Sequence, residues 1–384
     1  MIKLIGDTIS HQDIDSLIEW LKEYPRLTMG DVTVQFEEAY SKWIGSKFSV
    51  FCNSGSSANL LMIATLIDMK LMKNNKVLIP ALCWATTIAP VLQMGLEPII
   101  IDIDLENLGC CLDSLQDVLQ KEDPAVLMIT NVLGFPNKMK EIMALCKQYN
   151  VILIEDSCET QGSSYNNRKC GTFGLMGSFS FYMGHVSSTI EGGMICTDDY
   201  NIYQTLKMLR SHGWTRNLDE QTKKHYRDIY NVNGFEELYT FYKCGFNLRS
   251  TDLQAKIGLL QLAKLDNFCS MRHYNFNIFQ TLIKNTFWKP SPIGEYIVNF
   301  AYPIIHPKKE LLVDELIKNE IECRPLICGA ISQQPFIKDR NIKCYDYKNS
   351  KIVNKYGLYA PNHQDLTIEE ISFMCNIING VINK

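Results

Sequence analysis

Short apolar runs alternate along this chain with stretches whose apolar residues recur every three or four positions. Lys76–Pro80 (KVLIP), 98–102 (PIIID), 125–130 (AVLMIT) and 151–156 (VILIED) are nearly continuous apolar runs bounded by Gly, Pro, Asn or Asp. Runs of that length and flank predict strands buried on both faces. Phe48–Cys52 predicts another. Between the last two runs, Met139, Ile142, Met143 and Cys146 share one helical face, with Pro136 suited to the first turn and Asn150 to the stop. Strand, helix, strand with full burial implies a mostly parallel sheet covered by helices on both sides.

The pattern changes after about residue 245. Thr251-x-x-Gln254 matches a capping box, opening a helix with Leu253, Ile257, Leu260 and Gln261 along one side. A strand-like run covers 296–305, and helical patterns cover about 308–319 and 367–382. The first 45 or so residues carry helical spacing (Ile14, Leu17, Ile18, Leu21; then Val34, Phe36, Tyr40) and predict helices docked on one of the domains. The expected architecture is α/β. Residues 1–245 form N-terminal helices and a large domain with a mostly parallel mixed sheet. Residues 246–384 form a smaller α+β domain. At 384 residues and 46% hydrophobic content the chain can bury a large core.

Charge and cysteine content narrow the class. A net charge of −4 and a pI near 6.0 argue against nucleic acid as a bulk partner but leave room for a small anion held locally. The N-terminus lacks a basic region followed by an apolar core, so no signal peptide is expected. No run approaches the ~18 to 20 apolar residues of a membrane span. The 14 cysteines are scattered among apolar residues without a C-x-x-C pair. Neither Cys110–Cys111 nor Cys323…Cys328 has zinc spacing. These features predict a soluble cytoplasmic protein with reduced thiols and no metal centre.

Four segments carry candidate chemistry. Asn53-Ser-Gly-Ser-Ser-Ala-Asn59 lies between a strand and an apolar helix. A loop of small residues at a helix N-terminus presents free N–H groups and a positive dipole end, suited to a phosphate; such loops also simply cap helices. Asp156 ends an apolar strand, where a carboxylate either faces a ligand, as in holding a pyridine nitrogen protonated, or caps the next segment of chain. Trp84 comes just after another strand end and is placed either to stack on a planar ring or to fill core. The fourth segment, Gly177-Ser-Phe-Ser-Phe-Tyr-Met-Gly-His185 with Glu191-Gly-Gly beyond it, leads into an apolar strand.

At that segment the chain resembles the DegT/DnrJ/EryC1/StrS family of fold-type I pyridoxal-phosphate enzymes that act on nucleotide sugars. The family pattern there is approximately S-F-S-x-x-x-x-K-x-x-x-x-x-E-G-G, and its lysine binds the cofactor covalently. His185 occupies the lysine position in this chain. The resemblance extends to Thr28-Met-Gly30 with Phe36-Glu37, the Gly-Ser-Ser-Ala-Asn loop, Trp84, Glu155-Asp156, Ser211-His-Gly-Trp, Gly245-Phe-Asn-Leu-Arg249 and the helix opening at Thr251. Histidine in place of lysine marks the sugar 3-dehydratases of the family. Phe181-Tyr-x-x-His185, Ser211-His-Gly-Trp-Thr-Arg-Asn217, Ile321-Glu-Cys-Arg-Pro325 and Asn362-His-Gln364 resemble that branch. So does Glu159, where aminotransferases of the family commonly have Gln.

The resemblance implies roles residue by residue. Ser56, Ser57 and Ser180 would hold the cofactor phosphate. Trp84 would stack on the ring, Asp156 would pair with its nitrogen, and Glu159 would lie near its hydroxyl. Asn247 would reach the cofactor phosphate of a neighbouring subunit, which implies a homodimer with shared active sites. His212, Arg216, Tyr239 and Arg249 would bind the sugar, the pyrophosphate or a carboxylate. The branch has a second His after the catalytic one; here that residue is Val186.

An imidazole forms no stable Schiff base with an aldehyde. Pyridoxal 5'-phosphate or pyridoxamine 5'-phosphate is therefore expected to rest non-covalently, with His185 as acid and base. The expected reaction removes the C3 hydroxyl of a nucleotide-linked 4-keto-6-deoxy sugar, with GDP-4-keto-6-deoxy-D-mannose the leading substrate and L-glutamate the amino donor. Three other readings compete. An ordinary sugar aminotransferase needs a lysine at position 185. An iron–sulfur 3-dehydrase carries a C-x-C pair, and none occurs here. A non-catalytic regulator on the same fold has no use for Asp156, Glu159, Ser180 and His185 together.

Overall fold

A computed structural model describes residues 1–345 and 348–383. Two helices come first, α1 (His11–Leu21) and α2 (Asp31–Ile44). Strands and helices then alternate: β1 (Phe48–Cys52), α3 (Gly55–Asp68), β2 (Lys76–Pro80), α4 (Ala85–Gln93), β3 (Glu97–Ile101), α5 (Leu112–Glu122), β4 (Val126–Thr130), α6 (Met139–Gln148) and β5 (Ile152–Asp156). A short hairpin, β6 (Ser164–Tyr165) and β7 (Arg168–Lys169), precedes β8 (Met176–Ser180) and β9 (Gly193–Thr197). Four helices come next, α7 (Tyr200–Arg210), α8 (Glu220–Tyr230), α9 (Asp252–Leu262) and α10 (Leu265–Leu282). The chain ends with β10 (Ala301–Ile305), α11 (Lys309–Lys318), β11 (Arg324–Pro325), α12 (Pro335–Lys338), β12 (Lys343–Cys344), α13 (Lys348–Tyr356), β13 (Gly357–Pro361) and α14 (Ile368–Ile382).

Eight strands form the main sheet in the order β1-β9-β8-β5-β4-β2-β3-β12. The pairs from β8 through β12 are parallel; β9 runs antiparallel to both β8 and β1. Side chains alternate between the two faces, as the pleat requires. Val77, Ile79, Ile100, Val126 and Met128 enter one apolar cluster, and Leu78, Ile99, Ile101, Leu127 and Ile129 enter another on the opposite side. Each such buried side chain contributes about 1.5–3 kcal/mol, so the register of the sheet is strongly fixed. A smaller antiparallel sheet, β10-β13-β11, packs with α10, α11 and α14. The predicted strands at 98–102, 125–130 and 151–156 each shift or shorten by one residue.

Three expectations are corrected. The run 296–305 is a strand only from Ala301, because the residues before it bond to loops: Tyr296 accepts from Ser164 N (2.9 Å), and Phe300 N donates to the Leu133 carbonyl (3.0 Å). Met143 is 38% exposed, so α6 buries only Met139, Ile142 and Cys146; the helix also starts at Met139, beyond Pro136. In α1 the apolar stripe of Ile14, Ile18 and Leu21 stays open, at 36–46% exposure. The helix docks instead through buried Asp13, which pairs with Lys264 and accepts from Gln261 (3.2 Å). On α2, Phe36 and Tyr40 pack as expected, with Phe51 and Phe181, while Val34 is exposed.

This topology gathers β1, β4, β5 and β8 so that their C-terminal ends and the loops after them open on one edge, the usual place for a ligand in an open parallel sheet. The loop between β8 and β9 must turn back against the loop that opens α3. A Cβ at Gly193 would lie 2.2 Å from the Ser54 carbonyl oxygen, so only glycine permits that approach.

Candidate active site

A cavity of about 360 Å³ lies at that edge, between the main sheet and the smaller one. Ser54, Gly55 and Ser56 bring it the first turn of α3. Ser54 caps the helix: its Oγ accepts from Ser57 N (3.1 Å) and donates to Ser57 Oγ (3.0 Å). Ser56 Oγ donates to Thr86 Oγ1 (3.0 Å) at the start of α4. Ser180 closes the group from the end of β8, so near Gly55 that a Cβ there would stand 2.7 Å from its Cβ. Hydroxyls and a helix N-terminus thus converge on one end of the cavity, the arrangement that receives a phosphate.

Asp156 enters from the end of β5 and is 3% exposed. Its Oδ2 accepts from Asn59 Nδ2 (2.8 Å) and Thr87 Oγ1 (2.7 Å), and its Oδ1 from Cys158 N (3.2 Å). Ser178 Oγ in turn holds the Asn59 carbonyl (2.6 Å). Three donors and a supporting hydroxyl leave this carboxylate one orientation. Neighbouring Glu155 faces away from the cavity, accepting from the backbone N–H groups of Gly171, Phe173 and Gly174 (2.6–2.8 Å). Trp84 lies 55% exposed at the cavity wall. Glu159 accepts from Leu133 N (2.9 Å). Burial raises its carboxyl to about 7, with help from the Asp156 charge and against the pull of the Leu133 N–H.

His185 sits on the loop between β8 and β9, its N–H bonded to the Tyr182 carbonyl (2.9 Å). Its ring centroid is 5.4 Å from that of Phe300 and 6.4 Å from that of Tyr182. Nδ1 is buried without a partner. Burial, and then the Arg272 charge, lowers the imidazole to about 4. The ring is therefore neutral near pH 7 and able to accept a proton. Neither lysine nor arginine lines the cavity among the described residues. Lys169 lies elsewhere, its Nζ 3.7 Å over the Trp43 ring.

The structure therefore brings Ser56, Trp84, Asp156, Glu159, Ser180 and His185 together in one cavity. Ser57 stands behind Ser54 and does not line it. The remaining candidates form a second group that does not line this cavity. The Arg216 guanidinium lies over Trp214 (4.1 Å) and Tyr239 (4.9 Å), Arg249 lies 5.6 Å from the Trp214 ring, and His212 meets that ring edge-on at 5.0 Å. Asn247 is exposed on the strand-like segment that bridges Ser211 and Cys52. Sequence reasoning missed Asn59, Thr86 and Thr87 as partners of the site, although Asn59 lies inside a marked loop and the two threonines stand two and three residues after Trp84. It also missed Leu4, Ile5, Phe300 and Tyr359, which reach the cavity only through tertiary packing.

The profile of the DegT/DnrJ/EryC1/StrS aminotransferase family matches residues 8–379. This chain belongs to that family. Among curated proteins, the chain is 35% identical over 389 residues to GDP-4-keto-6-deoxy-D-mannose 3-dehydratase of Escherichia coli O55:H7, covering 97% of each chain. It is 36% identical over 370 residues to the enzyme of the same name from Yersinia pseudotuberculosis, covering 91% of each. Among solved structures, a GDP-4-keto-6-deoxymannose-3-dehydratase mutant with bound GDP-perosamine superposes with a TM-score of 0.91 at 33% identity, covering 98% of this chain and all of that one (100%). A structure of that enzyme with a trapped PLP-glutamate geminal diamine gives 0.89 at 32%, with the same coverage. Family members fold as this chain does, with the large mixed sheet of fold-type I pyridoxal-phosphate enzymes and a smaller α+β part.

Proposed function

We propose that this protein removes the C3 hydroxyl from a nucleotide-linked 4-keto-6-deoxy sugar, with GDP-4-keto-6-deoxy-D-mannose the leading substrate. The observation that carries the reading is His185: a neutral imidazole in a cavity that no lysine lines among the described residues, in a chain that aligns along its length with 3-dehydratases. L-Glutamate is the amino donor, and the products are the 4-keto-3,6-dideoxy sugar, ammonia and 2-oxoglutarate. The balance closes: C3 gains two electrons as its oxygen leaves, and glutamate loses two as its amino carbon becomes a ketone.

The residues fit a non-covalent pyridoxal or pyridoxamine phosphate. The Gly55–Ser180 contact leaves hydroxyls and N–H groups at one end, and Asp156 lies fixed in the same cavity. When bound, that group supplies an electron sink next to the sugar's C4 and carries the amino nitrogen. Ser56, Ser180 and the first turn of α3 hold its phosphate, Asp156 meets its ring nitrogen, and Trp84 covers its face. Glu159, raised to about 7, is available near the ring as a hydrogen-bond donor below that pH. His185 takes up a proton on its ring nitrogen and delivers it to the C3 oxygen as that oxygen departs. The rings of Phe300 and Tyr182 flank the imidazole.

We also propose that the group around Trp214 serves the neighbouring subunit of a homodimer. Among the described residues no lysine or arginine lines the site for a phosphorylated cofactor and a nucleotide pyrophosphate, whereas Arg216 and Arg249 stand together around the Trp214 ring. Fourteen free cysteines support a reducing, cytosolic setting.

Ammonia release tests the activity. The protein is incubated with pyridoxal phosphate, glutamate and each of several nucleotide-linked 4-keto sugars. Release with the GDP-linked 6-deoxy hexose supports the full reading; release only with another sugar reassigns the substrate; none with any sugar refutes it.

A further inference from the structure

Arg272 lies on α10, 2% exposed, and a buried guanidinium normally has a carboxylate partner. None bridges it among the described residues. Its Nη1 donates to the carbonyls of Phe300 (2.9 Å) and Asn362, and its Nε has no partner. Phe300 is thereby held at both backbone ends, since its N–H bonds to the Leu133 carbonyl. The same carbonyl accepts from Asn299 Nδ2 (2.8 Å), and Leu133 N is the donor to Glu159. Asn362 Nδ2 ties the cluster together by donating to the carbonyls of Arg272 (3.2 Å) and Asn299 (3.1 Å). The product of this network is one fixed wall, the Phe300 ring, tilted 48° against His185. It also gives a role to Asn362, part of a motif that has no place in the cavity itself.

We propose that Arg272 is a positioning residue for His185: it pins Phe300 against the imidazole and keeps a fixed positive charge behind that wall, so that the ring stays a proton acceptor. The other groups around the imidazole act in the opposite sense or not at all. Asp156 at the end of β5 and Glu159 beyond it, Glu191 and Tyr182 on its own loop, and Tyr359 on β13 are all neutral or anionic. His363, beyond β13, is itself held down by burial and by Arg272. The lowered basicity of His185 agrees with a wall and a cation that outweigh these groups. The proposal rests on the reading that His185 moves the proton.

The test uses histidine labelled with ¹³C at Cε1, in protein with and without pyridoxal phosphate. His185→Gln assigns the signal among seven histidines. The wild-type signal is expected to stay in its neutral position down to pH 5.5. Arg272→Met is expected to raise the midpoint by a pH unit or more, and Arg272→Lys, which keeps the charge, to leave it low. Phe300→Ala, which admits water, is expected to raise it with Arg272 intact. The acid limb of the activity profile should move with the Met variant and not with the Lys variant. A folded Arg272→Met protein with an unmoved midpoint overturns the proposal. If that variant does not fold, an unmoved midpoint in Phe300→Ala overturns it instead. Failure of the functional reading shows separately, as wild-type protein that releases no ammonia.

Discussion

Asn59 donates a 2.8 Å hydrogen bond to the carboxylate of Asp156, joining the small-residue loop at the start of α3 to the end of β5. Replacing Asn59 by Ala leaves Asp156 with Thr87 and the Cys158 N–H, and leaves Ser178 Oγ only the longer bond to the Glu155 carbonyl (3.4 Å). Loss of one buried hydrogen bond to a charged group costs about 1.5–3 kcal/mol. Asn59→Ala should weaken pyridoxal phosphate binding by roughly 10- to 100-fold, since about 1.4 kcal/mol is a factor of ten. Titration of the cofactor's absorbance measures it; unchanged affinity would remove Asp156 from the ring site.

His185 carries the second prediction. His185→Gln should lower kcat by about 10²–10⁴-fold, the usual contribution of a positioned acid or base, with cofactor affinity little changed. Borohydride should leave no cofactor covalently attached to the wild-type protein, because no lysine lines the cavity among the described residues. Mass spectrometry of the treated protein decides the point.

Stability should respond to pH through two groups of opposite sign. His185 falls from 6.5 to about 4 on folding, so between these values only the unfolded chain takes up the proton. Stability present above pH 6.5 is lost as pH falls through that window. Glu159 rises from 4.5 to about 7, so its contribution is present below pH 4.5 and is lost as pH rises toward 7. Each contribution amounts to about 3 kcal/mol at most. In cofactor-free protein the two slopes largely offset between pH 4.5 and 6.5, so His185→Gln should expose a stability that falls as pH rises toward about 7, and Glu159→Gln one that falls as pH drops below 6.5. Denaturant unfolding across roughly pH 4–8 reads both slopes.

How far the sequence revealed this depends on where its signals arise. Strands such as Lys76–Pro80 were legible because full burial on both faces makes a continuous apolar run. The direction of β9 was not, because Gly-Met-Ile-Cys-Thr reads the same whether parallel or antiparallel. Asp156 and the loop holding Ser56 were legible because sheet topology collects the ends of strands, and Ser180 and His185 because the family pattern fixes their register. Phe300 and Tyr359 were not, since nothing local in the sequence ties residues near 300 and 359 to position 185. The exposed stripe on α1 arises from Asp13, whose buried pairing with Lys264 turned the helix away from its apolar face.

Shared sites make a further prediction. Inactive His185→Gln and inactive Asn247→Ala/Arg249→Ala proteins, mixed and allowed to exchange subunits, should regain about a quarter of wild-type activity: half of the dimers are mixed, and each has one intact site. No recovery, despite exchange verified by mass, would place the Trp214 group outside catalysis.

The fate of nitrogen tests the central claim most directly. The protein is supplied with pyridoxal phosphate, GDP-4-keto-6-deoxy-D-mannose and ¹⁵N-labelled L-glutamate, and the products are examined by mass spectrometry and NMR. Elimination at C3 predicts all of the label in ammonia and a sugar with a methylene at C3. Label retained at C4 of a sugar that keeps its C3 hydroxyl would contradict it and make this an aminotransferase.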